Sequence, residues 1–349
     1  MLNTSGISII VCCYNSAKRI PETFAGLAEQ QIPANIGVEL ILVDNASTDQ
    51  TAELAEEVWK NLGSKFELVI VEELTPGLSS ARKKGINQAR YPFILFCDDD
   101  NKLCPEYVNE AYSILSSDSK IAACGGCGMP VFETDKPFWF DEYAEAFALG
   151  SQEIGREDGK ILNLYGAGLA INKQVLIELQ QSGFKHRFTG RLKNKLSSSE
   201  DTELTNAMVL LGYELVYSEK LKFYHYMPKE RMTFDYLKKL FVAFGTDGPL
   251  RNLYYSYISN RASHKLIRHW SIHLVLSLIR LVKYLIVPPK KFGREIYFKW
   301  SLAYIKELFS IREDYEGLKI NALKTLQHGL NPSVTGIKLS KTRLEKSLV

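Results

Sequence analysis

The front of the chain alternates short apolar runs with polar clusters and segments of helical spacing. Ile7-Ser8-Ile9-Ile10-Val11-Cys12 is nearly unbroken, as a strand buried on both faces must be. A helix is expected from about Ala17 to Gln31, ended by Pro33. Val38 to Val43 predicts a second strand, and Asp44-Asn45-Ala46-Ser47-Thr48-Asp49 a polar loop. Thr48 or Asp49 can cap the next helix, which runs to about Leu62. Phe66 to Val71 predicts a third strand, Leu78 to Ala89 a helix entered through Pro76-Gly77, and Phe93 to Cys97 a fourth strand. Strand and helix in alternation predict an α/β fold, with a mostly parallel central sheet covered by helices on both faces. Ligands of such sheets collect beyond the carboxyl ends of the strands. Three of those ends carry polar clusters: Tyr14-Asn15, Asp44-Asn45 and Asp98-Asp99-Asp100-Asn101.

The middle of the chain is more mixed. Ile121 to Met129 reads as a glycine-rich strand, and Leu164 to Ile171 as another, with Gly166 and Gly168 close together. Ser198 or Ser199 caps a helix to about Leu211, and Glu214 to Tyr226 is a further strand. The last third is helical. Along His269 to Val287, the residues His269, His273, Ser277, Arg280, Lys283 and Tyr284 form one polar stripe, and most of the rest is apolar. The apolar face fits a membrane surface, with Lys290, Lys291 and Arg294 beside anionic lipid. It fits equally well the helix's own domain or a second subunit. Arg280 and Lys283 inside the segment argue against a spanning helix. From Asn331 the chain is a polar, basic tail, and no internal repeat is visible.

Composition adds limits rather than direction. Hydrophobic residues make up 46% of 349, enough for a sizeable core. A net charge of +3 gives no reason to expect nucleic acid as a partner. The cysteines Cys12, Cys13, Cys97, Cys104, Cys124 and Cys127 read as reduced thiols, three of them in buried strands. Cys124-Gly-Gly-Cys127 alone is thin grounds for zinc, since no second pair or nearby histidine joins it. Tyr14, Asn15 and Lys18 interrupt the first apolar run before it reaches the length of a secretory core, so a cytoplasmic catalytic domain is expected.

Adjacent carboxylates repel, so Asp98, Asp99 and Asp100 need a reason to stand together. A hard divalent cation is one reason and a solvated turn is another. If the strand spacing continues, Asp98 and Asp100 point the same way and address one ligand. Glu200-Asp201 at a helix start can be a cap, or a base for an acceptor hydroxyl. His225, at a strand end, can be a metal ligand or a packed side chain. Gly166 and Gly168 allow close backbone approach either to a ligand or to a helix. Trp139 can stack on a sugar or fill the core.

Taken together, six motifs resemble family 2 glycosyltransferases of the GT-A fold. They are Val11-Cys12-Cys13-Tyr14-Asn15, Val43 to Asp49, Gly77 to Arg82, Asp98 to Asn101, Glu200-Asp201, and His225-Tyr226-Met227-Pro228. Each is loose alone, and their order and spacing are specific. The resemblance covers residues 1 to about 230. It implies a Rossmann-like GT-A catalytic domain over 1–230, with a nucleotide-binding half at 1–105 and an acceptor half at 106–230. A helical C-terminal region at 231–330 and the tail at 331–349 follow it. It further implies that Tyr14 and Asn15 line the nucleotide pocket and that Asp44 bonds the base, most often uracil. Arg82 would reach the diphosphate or hold the acidic loop, and Asp98 would meet the ribose or the water shell of a metal, with Asp99 beside it in the donor site. Asp100 and His225 would bind Mn²⁺ or Mg²⁺. Asp201 would be the base, with Glu200 positioning the acceptor. The implied activity is inverting transfer from a nucleotide-diphosphate sugar to a hydroxyl of a glycan or lipid-linked acceptor in envelope polysaccharide synthesis. The expected setting is cytoplasmic, at the inner membrane face, with a homodimer through the C-terminal helices as a further expectation.

Two departures stand out. The family's first motif commonly carries Pro where Cys13 stands, and the basic loop of Arg187, Arg191, Lys193 and Lys195 has no counterpart in the pattern. The alternatives are a sugar nucleotidyltransferase and a non-catalytic nucleotide- or sugar-binding module. The first would be expected to carry a glycine-rich phosphate loop after the first strand, where Cys13-Tyr14-Asn15-Ser16 stands instead.

Overall fold

A computed structural model describes residues 5–152, 156–157, 159–188, 199–259 and 261–330. The expected basic-loop residues Arg191, Lys193 and Lys195, and the tail, lie outside the described residues. The apolar runs become strands β1 (Gly6–Cys13), β2 (Gly37–Asp44), β3 (Glu67–Glu72) and β4 (Phe93–Phe96). Between them lie α1 (Ile20–Ala28), α2 (Thr51–Asn61) and α3 (Leu78–Gln88). Helix α1 starts later than its spacing suggested, with Pro21 in its first turn, where the missing N–H costs nothing. Neither Thr48 nor Asp49 caps α2. Asp49 instead accepts from the Ala17 N–H, and Thr48 donates to Asn15, so both side chains tie the first two loops together.

Next come β5 (Asn101–Leu103), α4 (Tyr107–Ser117), β6 (Ile121–Phe132) and α5 (Phe140–Tyr143). A small hairpin, β7 (Arg156–Glu157) and β8 (Lys160–Ile161), precedes β9 (Ala170–Asn172), α6 (Lys173–Gln181), α7 (Glu200–Leu211) and β10 (Glu214–Met227). The strand expected over Leu164 to Ile171 is thus mostly a turn. Gly168 there has φ +68°, and a Cβ on it would come within 2.3 Å of the Tyr107 hydroxyl, so only glycine fits. The main sheet runs β3-β2-β1-β4-β9-β6-β10-β5. Its first four strands are parallel, β9 lies antiparallel to both neighbours, and β6 and β10 pair in parallel. Because β2, β1 and β4 are neighbours, their carboxyl ends place Asp44, Tyr14-Asn15 and the acidic run side by side.

The C-terminal helices are α8 (Phe234–Ile258), α9 (Ala262–Lys265), α10 (Trp270–Ile286), α11 (Arg294–Ser310) and α12 (Tyr315–Gly329). Helix α8 crosses α11 closely at Gly245, where a Cβ would fall 2.3 Å from the Trp300 carbonyl oxygen. Helix α10 is turned with the middle of its polar stripe inward, while His269 and Lys283 are exposed. His273 is buried between the hydroxyls of Tyr304 and Tyr315, at 2.6 and 2.7 Å, and Ser277 is buried one turn on. Arg280 lies over the rings of Trp300 and Tyr304. The apolar residues Val275, Ile279, Val282 and Ile286 face outward and exposed. Its own domain therefore does not cover the apolar face. Among the described residues no single helix is long and apolar enough to cross a membrane, although α9 to α10 pass that test as a bent pair.

Candidate active site

The site begins where β1 and β2 end. Asn15 sits at φ +50° and accepts from the Thr48 N–H at 2.7 Å, while its own N–H donates to Ser47 Oγ. Asp44 Oδ1 accepts from the Ser47 N–H at 3.1 Å. Tyr14 lies beside them with an exposed ring. The two loops thus fix each other and leave a flat aromatic face and a carboxylate at the sheet edge.

The acidic run is a turn rather than a continuation of β4. The Asn101 N–H donates to the Asp98 carbonyl at 3.0 Å, so the alternation that would have put Asp98 and Asp100 on one side does not operate. Each carboxylate has its own arginine. Asp98 Oδ1 lies 3.9 Å from Arg82 Nη2 on α3, Asp99 Oδ2 2.6 Å from Arg19 Nη2, and Asp100 Oδ2 3.0 Å from Arg231 Nη1 on the 3₁₀ turn Lys229–Arg231. Asp99 is also bonded to the Ser16 hydroxyl, and its backbone carbonyl accepts from Thr23 Oγ1. Its carboxylate is turned toward Ser16 and Arg19 at the start of α1. Burial, and then Asp100, push its pKa up, while Arg19 pulls it down.

His225 reaches Asp100 through sheet register, since His225 pairs with Asn101 across β10 and β5 and the Tyr226 N–H donates to the Asp100 carbonyl. Its Nε2 lies 3.6 Å from Asp100 Oδ1, and its Nδ1 lies 3.1 Å from the Phe147 carbonyl oxygen. That carbonyl only accepts, so Nδ1 carries a proton, and Arg231 Nη1 at 3.3 Å only donates, so Nε2 presents its lone pair to it. One carboxylate and one imidazole lone pair at this separation fit two ligands of a single divalent cation. Among the described residues no group of three or more His, Cys, Asp or Glu side chains converges, so the remaining positions would fall to donor oxygens and water. The six cysteines are free thiols, and Cys124 and Cys127 both lie on β6.

Across the edge, α7 begins with Glu200-Asp201. Ser199 precedes it without a side-chain cap. Arg82 Nη1 bonds Glu200 Oε1 at 3.0 Å, so one guanidinium, lying over the Phe96 ring, joins the acidic turn to α7. Asp201 Oδ2 accepts from the Gly166 N–H at 2.5 Å. A Cβ at Gly166 would lie 2.8 Å from Arg82 Nη2 and 3.1 Å from Asp201 Oδ2, which explains the glycine. Burial pushes the Asp201 pKa above the ordinary carboxylate value, with Arg82 working against it. Trp139 is core, packed among Phe140, Phe147 and Phe234. Sequence reading missed Arg19 and Arg231. It also missed Glu203, which is fully buried and accepts from the Arg187 and Phe188 N–H groups and the Tyr254 hydroxyl.

Residues 8–180 match the family model for glycosyl transferase family 2. The chain belongs to this family. Its relatives agree with that family. The putative glycosyltransferase EpsH of Bacillus subtilis (strain 168) is 28% identical over 123 residues, 35% of this chain and 34% of that protein. The poly-beta-1,6-N-acetyl-D-glucosamine synthase of Staphylococcus epidermidis is 30% identical over 110 residues, 31% of this chain and 25% of that protein. The matched segments thus span about a third or less of these relatives. The crystal structure of S. aureus TarS 1-349 in complex with UDP-GlcNAc superposes with a TM-score of 0.50 at 17% identity, over 95% of this chain and 92% of that one. That likeness gives the GT-A fold with its C-terminal helices.

Proposed function

We propose that this glycosyltransferase moves a sugar, with inversion, from a uridine-diphosphate donor to a hydroxyl of a glycan or lipid-linked acceptor in envelope polysaccharide synthesis. The observation that carries this reading is the Arg82 bridge, which holds the acidic turn and the start of α7 at one sheet edge. The relatives' names point to envelope glycans, and the TarS complex holds UDP-GlcNAc.

Asp44, Asn15 and Tyr14 bind the nucleoside in this mechanism, and Asp98 lies toward the ribose. Asp100 and His225 would hold Mn²⁺ or Mg²⁺, and the ion would supply positive charge to the departing diphosphate. Arg82 adds its own charge to the same group, where preorganised cations lower the barrier most. Asp201 takes the proton of the acceptor hydroxyl, helped by its raised pKa, and Glu200 positions that hydroxyl. Attack from the face opposite the diphosphate inverts the anomeric carbon.

Incubation with a panel of nucleotide sugars, Mn²⁺ and candidate acceptors tests the reading. Release of nucleoside diphosphate with an inverted product anomer by NMR supports it. Pyrophosphate release would favour a nucleotidyltransferase, and no turnover with tight nucleotide binding would favour a binding module.

We also infer that the enzyme works on the inner face of a membrane. The outward apolar face of α10 ends at the exposed cations Lys291 and Arg294, with Phe292 and Phe138 in edge contact beside them, a pairing suited to an anionic bilayer. The intact chain should float with phosphatidylglycerol vesicles, and Ile279→Glu with Ile286→Glu should release it. Failure to float, with a stable dimer by sedimentation that the same changes dissociate, would assign the face to a second copy.

A further inference from the structure

Of the three arginines on the acidic turn, Arg231 is placed differently from the other two. Arg19 is partly exposed and pairs with a carboxylate turned toward α1, and Arg82 divides its charge between Asp98 and Glu200. Arg231 Nη1 lies 3.0 Å from Asp100 Oδ2 and 3.3 Å from His225 Nε2. It therefore touches both groups that face each other at 3.6 Å. Neither group has a proton to give the other, because the carboxylate only accepts and the imidazole proton is on Nδ1, toward the Phe147 carbonyl. Two lone pairs converging in a buried place need a donor or a cation between them. A guanidinium N–H answers that requirement, and so would a divalent ion about 2 Å from each ligand atom. The Nη1 contact at 3.3 Å occupies the Nε2 lone pair that the ion would need.

We propose that Arg231 is a resident counter-ion which a divalent cation must displace from Asp100 and His225, so that the ion enters effectively only together with the donor. The proposal rests on reading these two residues as the cation site. Without donor, the displaced guanidinium loses a charge-assisted bond in a largely buried position and gains only water. With donor, the diphosphate offers it a new anionic partner of the kind a planar guanidinium binds well. Ion and nucleotide diphosphate therefore raise each other's affinity, and because the coupling is thermodynamic it is reciprocal.

The test measures Mn²⁺ binding to the full chain by the electron paramagnetic resonance signal of the free ion, with and without UDP. It compares the wild type with Arg231→Met, Arg231→Lys and Asp100→Asn. Arg231→Met should bind Mn²⁺ alone about tenfold more tightly than wild type, and the enhancement by UDP should shrink by a similar factor. Asp100→Asn should weaken Mn²⁺ binding in either background. Equal Mn²⁺ affinity in Arg231→Met and wild type, with Asp100→Asn weakened, overturns the proposal and leaves the cation site standing. Unchanged binding in Asp100→Asn removes the cation site itself. If circular dichroism shows Arg231→Met unfolded, Arg231→Lys decides. An ammonium on the shorter lysine stem holds the two groups less well than Nη1 does, so this variant should bind Mn²⁺ alone more tightly than wild type by a smaller factor, and equality overturns the proposal.

Discussion

The acidic turn and the start of α7 lie on the same sheet edge and hold their carboxylates by opposite means. Asp98, Asp99 and Asp100 each meet an arginine, from α3, the start of α1 and the turn after β10. Asp201 meets a backbone N–H from Gly166, while the nearest guanidinium gives its hydrogen bond to Glu200. A carboxylate matched by countercharge has its charge balanced on site. A carboxylate held by burial and an amide remains eager for a proton. The first arrangement suits a surface that must receive a diphosphate, the second a group that must take a proton from a hydroxyl. The difference assigns work to two carboxylate clusters that look alike in composition.

The sharpest way to break this division is at Asp201. Asp201→Asn keeps the shape and an acceptor for the Gly166 N–H but removes the base. We expect kcat to fall by about 10³-fold, within the range general-base catalysis supplies, with UDP-sugar affinity changed less than about twofold. Near-normal turnover, or a matching loss of donor binding by calorimetry, would show that the two clusters do not divide the work.

Arg82 reaches both, so Arg82→Met should disturb both. Donor affinity should fall by about tenfold as one charge-assisted contact to the diphosphate is lost. The pH profile should move as well. In the proposed mechanism Asp201 acts when ionised, so kcat/KM should fall as pH drops through its raised pKa, with the acid limb above the ordinary range for aspartate. Arg82 is the charge that opposes this rise, so without it the limb moves to still higher pH. An unmoved limb would mean that Arg82 serves the donor alone.

The strands at this edge were legible because buried parallel strands must be continuous apolar runs, and Ile7 to Cys12 or Phe93 to Phe96 can be little else. The site motifs were legible because they fall at strand ends. The arginine partners were not. Arg231 is more than 130 positions from Asp100 by their numbers, and it arrives only because β10 pairs with β5. Nor does alternation say where a strand stops. The Asn101 bond to Asp98 turns the chain and sends Asp98 and Asp100 to different partners. Helical spacing found the polar stripe of α10 correctly. It could not say which side faces in, because the answer lies with Tyr304 and Tyr315 on other helices.

His273 carries the same contrast away from the site, and there the expected effect is on stability rather than turnover. It is buried between two tyrosine hydroxyls with no carboxylate beside it, and burial, then Arg280, lower its pKa from 6.5 to about 4. The unfolded chain therefore takes up this proton first as pH falls. The stabilisation is fully present above the unfolded pKa and declines between that value and the folded one, by roughly 3 kcal/mol over the whole window. Asp201, with its pKa raised by burial, has the opposite slope, because its charge costs stability as pH rises. Replacing His273 with Gln keeps a polar side chain between the tyrosines but removes the titration. Melting temperatures at about pH 7 and about pH 5 should then differ less in His273→Gln than in wild type, with transfer at neutral pH little changed. An equal difference in both proteins would mean that His273 is charged in the folded state, and that neutral hydroxyls and burial do not by themselves set the protonation of a buried group here.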